Sequence, residues 1–146
     1  MKKISAFVLT ILAAISMSAC SSKAPAGDTS LDDVLSKGEI TVAISPDFAP
    51  SEFKDPNTGE ILGSDVYVAQ YVADYLSKKY DKEVNLKIEE MDFKTCQAAV
   101  QAGSVDFSVN GFSATEDRKK NFYTTSHYGK TRSSSTSYQG LLINEK

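Results

Sequence analysis

The sequence predicts an α/β domain in which a mostly parallel, open β-sheet is flanked by helices. Two observations support this fold class. Runs with apolar residues at alternate positions, typical of strands, occur at 39–44, 84–88 and 105–109. Between them lie segments whose apolar residues recur at helical spacing. Strands that alternate with helices form βαβ units, and the strands of such units lie parallel.

Residues typical of helix starts give the bounds of four helices. Ser30, followed closely by two acidic residues, begins the first. Asp65 is the expected N-cap of the second helix, Asp92 precedes the third, and Thr115 opens the fourth. Residues 55–63 are predicted to be turn, because they contain Asp-Pro-Asn and two glycines, and Phe48 is expected in the loop after the first strand.

The charge and composition argue against several classes of function. The chain has 146 residues, with 16 Lys and Arg against 19 Asp and Glu, and a net charge of -3. A nucleic-acid-binding protein normally has a basic excess on one face. His127 is the single histidine, which argues against a His-based metal cluster and against a Ser/His/Asp hydrolase. We therefore expect no metal, cofactor or nucleic acid, and we expect Cys96 to be a small core residue.

The N-terminal segment has the features of a secretory signal. Two lysines precede an apolar run at 6–15, which is shorter than the ~20 residues that span a bilayer. The following Met17-Ser18-Ala19-Cys20 resembles the bacterial lipobox, in which the cysteine takes a diacylglycerol and cleavage falls just before it. This implies a lipoprotein signal peptide at 1–19 and a lipidated, palmitate-bearing Cys20 that anchors the protein to a membrane. A flexible tether follows to residue 30, and a plain signal peptide with an incidental Cys20 is the alternative.

Three segments leave the carboxyl ends of the predicted strands: 45–53, 91–94 and 110–118. Ligands of open α/β sheets bind in the crevice at these ends. Ser113 comes just before a helix start, where N–H groups favour an anion. Arg118 follows about one and a half turns on, and its planar guanidinium can hold a carboxylate with two hydrogen bonds.

Gly111 in the same segment allows a ligand to approach the backbone closely and leaves its carbonyl oxygen to accept from an ammonium group. A carboxylate contact and an ammonium contact together define an α-amino acid. The alternative is that Arg118 simply pairs with Asp117 or Glu116 on an exposed helix.

Several stretches resemble the amino-acid-binding members of the bacterial extracellular solute-binding proteins, family 3, which supply ABC importers. The matching stretches are 38–44, 49–53, 63–66, 91–93, 101–106 and 111–120. The last is the most specific, because Gly-Phe-Ser-Ala-Thr-Glu-Asp-Arg follows the family's Gly-Met-Thr-Ile-Thr, two further residues and Arg. The resemblance implies a periplasmic-binding-protein-like lobe over 31–125.

The resemblance also implies roles for individual residues and partners. Phe48 and Phe93 are expected to hold a ligand side chain between their rings, while Arg118 and Ser113 hold the carboxylate and Gly111 lies beside the ammonium. The ligand would be a polar amino acid, bound outside the cytoplasmic membrane and passed to ABC permease subunits. Such a protein is not an enzyme. The alternatives are an enzyme of the same fold, similar to cyclohexadienyl dehydratases, or a non-functional remnant.

Two departures from the family pattern qualify these expectations. Several members have an acidic residue where Ser45 stands, which weakens the case for a basic ligand, although Asp47 can partly substitute. We also expect the second lobe to be missing, with 126–146 forming a polar insert and a strand that leads toward it. A lone lobe leaves one side of the ligand exposed to water, where charge pairs contribute little to the binding free energy. We therefore expect this chain to bind weakly.

Overall fold

The computed structural model describes residues 29–126, 129–130 and 138–144. Four helices form within this part of the chain: α1 (Ser30–Lys37), α2 (Ser64–Tyr80), α3 (Phe93–Ala102) and α4 (Glu116–Asn121). The strands are β1 (Glu39–Ile44), β2 (Asp47–Phe48), β3 (Glu52–Lys54), β4 (Ile61–Leu62), β5 (Asn85–Glu90), β6 (Phe107–Asn110), β7 (Phe122–Thr124), β8 (Gly129–Lys130) and β9 (Tyr138–Asn144). The predicted signal peptide, Cys20, most of the tether, His127 and much of the polar insert lie outside the described residues.

The main sheet has the strand order β5-β1-β6-β9-β7, and β8 pairs with β9. The three strands predicted from the sequence are its parallel part, since β1 pairs in parallel with both β5 and β6. Strand β9 pairs antiparallel with β6 on one side and with β7 on the other. The α/β class and the mostly parallel core of the sheet are therefore confirmed, with an antiparallel portion added beyond β6.

Helices cover both faces of β1. Residues of α1 and α2 pack with Val42 and its neighbours on one face, in a cluster of buried apolar side chains. On the other face Ala43 packs with Cys96 and Val100 of α3. Because β1 is central, both of its faces are buried and consecutive residues of this strand have no contact with solvent. The prediction that Cys96 is a core residue is confirmed.

Two of the four predicted helix starts agree with the structure, and the other two differ from it. Asp92 caps α3 through its carboxylate, which accepts from the N–H groups of Lys94 and Thr95, and Thr115 caps α4. The expectation for Asp65 was wrong, because Gly63 is the N-cap and Asp65 lies fully buried in the first turn of α2. Ser30 is already helical and follows Thr29 at the N-cap position.

A second, small antiparallel sheet, β2-β3-β4, forms where the sequence predicted loop and turn. Gly63 joins this sheet to α2 with a φ of 129°, and a Cβ there would lie 2.1 Å from the carbonyl oxygen of Ser51. The close approach lets the N–H of Asp65 donate to that same oxygen at 2.9 Å. The start of α2 is thus fixed against the strand that contains Glu52.

Candidate functional site

An open hollow of about 170 Å³ lies beyond the carboxyl ends of β1, β5 and β6. Its lining residues are Asp47, Phe48, Glu52, Phe93 and Gly111. Three of them, Phe48, Phe93 and Gly111, were predicted as site residues, and each follows a different strand of the parallel core. A complete small-molecule pocket is roughly 300–1,000 Å³, so this hollow has the size of one side of a binding site.

The Phe93 side of the hollow is braced by a second aromatic ring and a cation. The rings of Phe93 and the buried Phe112 lie 4.7 Å apart between centroids. The guanidinium carbon of Arg118 lies 5.8 Å from the Phe93 centroid and 5.5 Å from that of Phe112. Aromatic pairs and cation–π contacts each stabilise such an arrangement modestly. Phe93 is therefore held in place by its neighbours.

Arg118 is half-buried and points back along the chain rather than out along α4. Its Nη1 donates to the carbonyl oxygen of Ser113 at 2.9 Å, and its Nε donates to Gln97 Oε1 at 3.2 Å. The salt bridge of Glu116 is with Lys119, at 2.7 Å. Pairing of Arg118 with a neighbouring acid on an exposed helix is therefore not the arrangement found.

Ser113 and Arg118 contact each other but are not among the residues that line the hollow in the described structure. The carbonyl oxygen of Ser113 accepts from Arg118 and also from the N–H of Thr115. Phe93 lines the hollow and also contacts the guanidinium of Arg118. The five predicted site residues thus fall into two adjoining sets.

Gly111 lies directly opposite Phe48. A Cβ at Gly111 would come 3.7 Å from the Phe48 ring, so any larger side chain would extend toward the space between them. Its N–H donates to Glu52 Oε1 at 3.2 Å. The absence of a side chain keeps this part of the hollow open.

A buried polar network fixes the backbone that leads into Gly111. Asn110 Oδ1 accepts from the N–H of Ser45 at 2.7 Å, and Asn110 Nδ2 donates to Ser108 Oγ at 2.8 Å. Ser108 Oγ in turn donates to the carbonyl oxygen of Ala43 at 2.7 Å. Buried networks whose members are paired rigidify the structure around them. Ser45 is buried, with 2% exposure, and its backbone N–H belongs to this network.

Glu52 is the site residue that sequence reasoning missed. Its side chain is 1% exposed, and its carboxyl hydrogen-bonds the buried carboxyl of Asp65. Burial, the nearby charge of Asp65 and the weaker effect of Asp47 together raise the pKa of the Glu52 carboxyl to about 8, although the N–H of Gly111 lowers it. No local signal marks Glu52, because its acidic neighbour Asp65 is 13 positions away in the sequence and meets it only through the turn at Gly63.

Two further observations bear on what the described residues can do. They contain no group of three or more His, Cys, Asp or Glu side chains placed to hold a metal ion. None of the helices in the described part of the chain is both long enough and apolar enough to cross a membrane.

An open α/β sheet with a hollow at the carboxyl ends of its parallel strands has the architecture of one lobe of the periplasmic-binding-protein fold. The sequence comparison identifies the particular group. The chain belongs to the bacterial extracellular solute-binding proteins, family 3, whose family model matches residues 40–140. The resemblance noted from the motifs is therefore confirmed.

Curated relatives of the chain are named as transport binding proteins. The chain is 31% identical over 86 residues to the arginine-binding protein ArgT of Corynebacterium glutamicum, covering 59% of this chain and 26% of that protein. It is 30% identical over 129 residues to the ABC transporter glutamine-binding protein GlnH of Bacillus subtilis, covering 82% and 46%. The chain thus spans between about a quarter and a half of the length of these relatives.

Solved structures show the same fold. The arginine-bound form of domain 1 from TmArgBP superposes with a TM-score of 0.65 at 30% identity, covering 78% of this chain and 86% of that one. The amino acid ABC transporter substrate-binding protein AbpA from Streptococcus pneumoniae, bound to L-arginine, superposes with a TM-score of 0.60 at 34% identity and covers 67% and 40%. A single domain of such a protein therefore has nearly the same extent as this fold.

Proposed function

We propose that this chain binds a polar amino acid outside the cytoplasmic membrane, for delivery to an ABC importer. The single observation that carries the proposal is the position of Arg118, whose guanidinium lies against Phe93 at the edge of the hollow. Family membership supports the extracytoplasmic location and the class of ligand. The names of the curated relatives support the transport role.

Arg118 and Ser113 are the proposed carboxylate-binding residues. Only Nε and Nη1 of Arg118 have partners among the described residues, so Nη2 has hydrogens to donate. A guanidinium has five N–H donors and binds a carboxylate through two of them. The hydrogen bonds to Gln97 and Ser113 hold the group at a fixed orientation, which lowers the entropic cost of binding.

Phe48, Phe93 and Gly111 are the proposed contacts for the rest of the ligand. Phe48 is 45% exposed and faces the hollow from the small sheet, whereas Phe93 faces it from α3. Burial of a ligand side chain between the two rings would remove apolar surface of both from water. The carbonyl of Gly111 would accept from the ligand ammonium, while its N–H is bonded to Glu52.

A test of this function is isothermal titration of the full chain, solubilised in detergent, with a panel of amino acids. We expect saturable binding of at least one polar amino acid with a millimolar to micromolar Kd. Arg118→Ala should weaken binding by roughly 10–100-fold, since hydrogen bonds to charged groups contribute ~1.5–3 kcal/mol each. Arg118→Lys should recover only part of this loss, because an ammonium lacks the planar pair of donors.

The matched control is Lys120→Ala, which removes a cation from the exposed side of α4. It should leave the Kd unchanged. Absence of saturable binding to any amino acid would refute the proposed function, as would equal binding by the Arg118→Ala variant. The expectation that a lone lobe binds weakly stays a prediction of the same titration, and the arginine-bound domain 1 from TmArgBP supports the view that one lobe can hold a ligand.

We propose further that Cys20 is the lipid attachment site that holds the lobe at the membrane surface. The lipobox-like sequence at its position supports this. Mass spectrometry of the protein from a bacterial membrane fraction should show diacylglycerol on Cys20, and Cys20→Ser should release the protein into the soluble fraction. Retention of the unmodified Cys20→Ser variant at the membrane would contradict the anchor.

One observation supports the alternative that the chain is an enzyme of the same fold. A dehydratase of this fold needs a proton donor in its cleft, and the raised pKa of Glu52 keeps a proton on a carboxyl that lines the hollow. We rank it second because the relatives described above are named as binding proteins. Conversion of a cyclohexadienyl acid by the full chain, lost in Glu52→Gln, would reverse this order.

A further inference from the structure

Resting on the proposed function, we infer that the hollow selects amino acids whose side chain carries a positive charge, with the carboxyl groups of Asp47 and Glu52 as the selecting groups. The names of the relatives do not decide this question, because they include both an arginine-binding and a glutamine-binding protein. The selection follows from what lines the hollow in this chain.

Asp47 supplies a carboxylate at the solvent-exposed side of the hollow. It lines the hollow next to Phe48, and its side chain has no ion-pair partner within the described residues. Its N–H donates to the carbonyl oxygen of Ser45, so the turn that follows β1 holds it in place. A carboxylate in a hollow that is also lined by two aromatic rings is a suitable partner for a guanidinium or an ammonium, since ring faces also attract cations.

Glu52 supplies a second carboxyl group at the buried side of the same hollow. Its Oε1 accepts from the N–H of Gly111, and the protonated carboxyl also hydrogen-bonds the carboxyl of Asp65. The guanidinium of Arg118 does not line the hollow, so the lining side chains in the described structure are two acids and two aromatics.

The surroundings of Glu52 imply that binding of a positively charged ligand changes the protonation of its carboxyl. Asp65 faces it from α2 and Asp47 from β2, and the N–H of Gly111 approaches from the end of β6. Burial first, and then the two negative charges, raise the pKa of Glu52 to about 8, so its carboxyl is protonated near neutral pH. A cationic side chain in the hollow opposes these charges and lowers that pKa. Glu52 then loses a proton to the buffer as the ligand binds.

The experiment is a titration of the full chain in detergent with four ligands: L-arginine, L-lysine, L-citrulline and L-glutamine. L-citrulline has nearly the shape of arginine but is uncharged. We expect L-arginine to bind roughly fivefold more tightly than L-citrulline, which is the upper end for one solvent-exposed charge pair. Asp47→Asn should reduce this ratio to about twofold or less, and it should weaken citrulline binding little.

The second readout is proton release, measured by repeating the titration in two buffers of different ionisation enthalpy. At pH 7 the wild-type chain should release protons when arginine binds and none when citrulline binds. Glu52→Gln should abolish the release, whereas Asp47→Asn should retain it. The matched control is Asp74→Asn, which removes an exposed carboxylate of α2 and should change neither the ligand ratio nor the release.

Each outcome separates this inference from the proposed function. Equal affinity for L-arginine and L-citrulline, or tighter binding of a neutral amino acid, overturns charge selection and leaves amino-acid binding intact. Absence of binding by every ligand overturns the proposed function itself. Charge selection that persists in Asp47→Asn overturns the assignment to Asp47. Circular dichroism of each variant checks that the compared chains are folded.

Discussion

The hollow has two walls that are built in different ways. The main-sheet wall consists of Phe93 and Gly111, which follow strands of the parallel core. Phe93 packs against the buried Phe112. The small-sheet wall consists of Asp47, Phe48 and Glu52, on β2 and β3.

The walls differ in how their positions are maintained. Phe48 is 45% exposed, and the small sheet is joined to the rest of the lobe by the Gly63 turn, the carboxyl pair of Glu52 and Asp65, the Lys54–Glu90 salt bridge and the packing of Ile61 on the core. The main-sheet wall is instead part of the core and of a network of buried hydrogen bonds. A site built this way has one preorganised side and one side whose position depends more on charged contacts and on the turn at Gly63.

The largest difference between the walls should emerge with pH. The pKa of Glu52 in the folded chain is about 8, above the ordinary value of 4.5. The stability that this group contributes is therefore fully present below pH 4.5 and is lost as the pH rises through 8. We expect the free energy of unfolding, from urea titrations, to fall by a few kcal/mol between pH 5 and 9.

Glu52→Gln should remove most of that slope, because an amide does not ionise and can donate to Asp65. The exposed Glu83→Gln variant is the control and should keep the wild-type slope. If Glu52→Gln and the wild type lose stability in parallel, the carboxyl pair does not govern the small-sheet wall.

The next largest effect is expected from Gly63→Ala, which perturbs the junction between the small sheet and the start of α2. A Cβ at Gly63 would lie 2.1 Å from the Ser51 carbonyl oxygen and would have a φ of 129°. Overpacking and backbone strain together should cost about 2–3 kcal/mol of unfolding free energy. The matched control is Gly59→Ala, where φ is 74° but no atom lies within 4 Å of the added Cβ.

Gly59→Ala should therefore cost only about 1 kcal/mol, from strain alone. Thermal unfolding followed by circular dichroism measures both variants. Similar losses in the two variants would mean that the contact between Gly63 and Ser51 is not tight.

The smallest effect distinguishes the two aromatic residues. Phe93→Ala should lower the free energy of unfolding by about 1–3 kcal/mol, because it removes a half-buried ring that packs on Phe112. Phe48→Ala should change it by no more than about 0.5 kcal/mol, since the side chain is largely in water. Both variants should weaken ligand binding in a titration. Equal destabilisation by the two substitutions would contradict the distinction between the walls.

Local sequence signals predicted much of the fold. The alternating runs identified β1, β5 and β6, and Asp92 and Thr115 were recognised as caps because an N-cap acts on residues two or three positions away. The small sheet was missed because its strands have only two or three residues, too few for a pattern to develop. Asp65 was misread as a cap because its residue type suits that position, whereas its burial beside Glu52 depends on distant parts of the chain.

The candidate site divides in the same way. Phe48, Phe93, Gly111, Ser113 and Arg118 could be nominated from their places after strand ends and from the family motif. That Arg118 turns toward Ser113 and Phe93, and not toward Glu116, depends on Gln97 and Phe112, which lie on other elements. The contribution of Ser45 to the backbone network depends likewise on Asn110.

The sequence by itself determined the fold class, the order of the parallel elements, the family and the set of residues near the ends of the strands. These follow from periodicity, capping and motif spacing, which act over a few residues. Only the tertiary structure decided that Glu52 and Asp65 share a buried position and that Asp47 faces the same hollow as Phe93. Burial and the interaction of charges are properties of the folded lobe, because water screens both groups from each other in the unfolded chain.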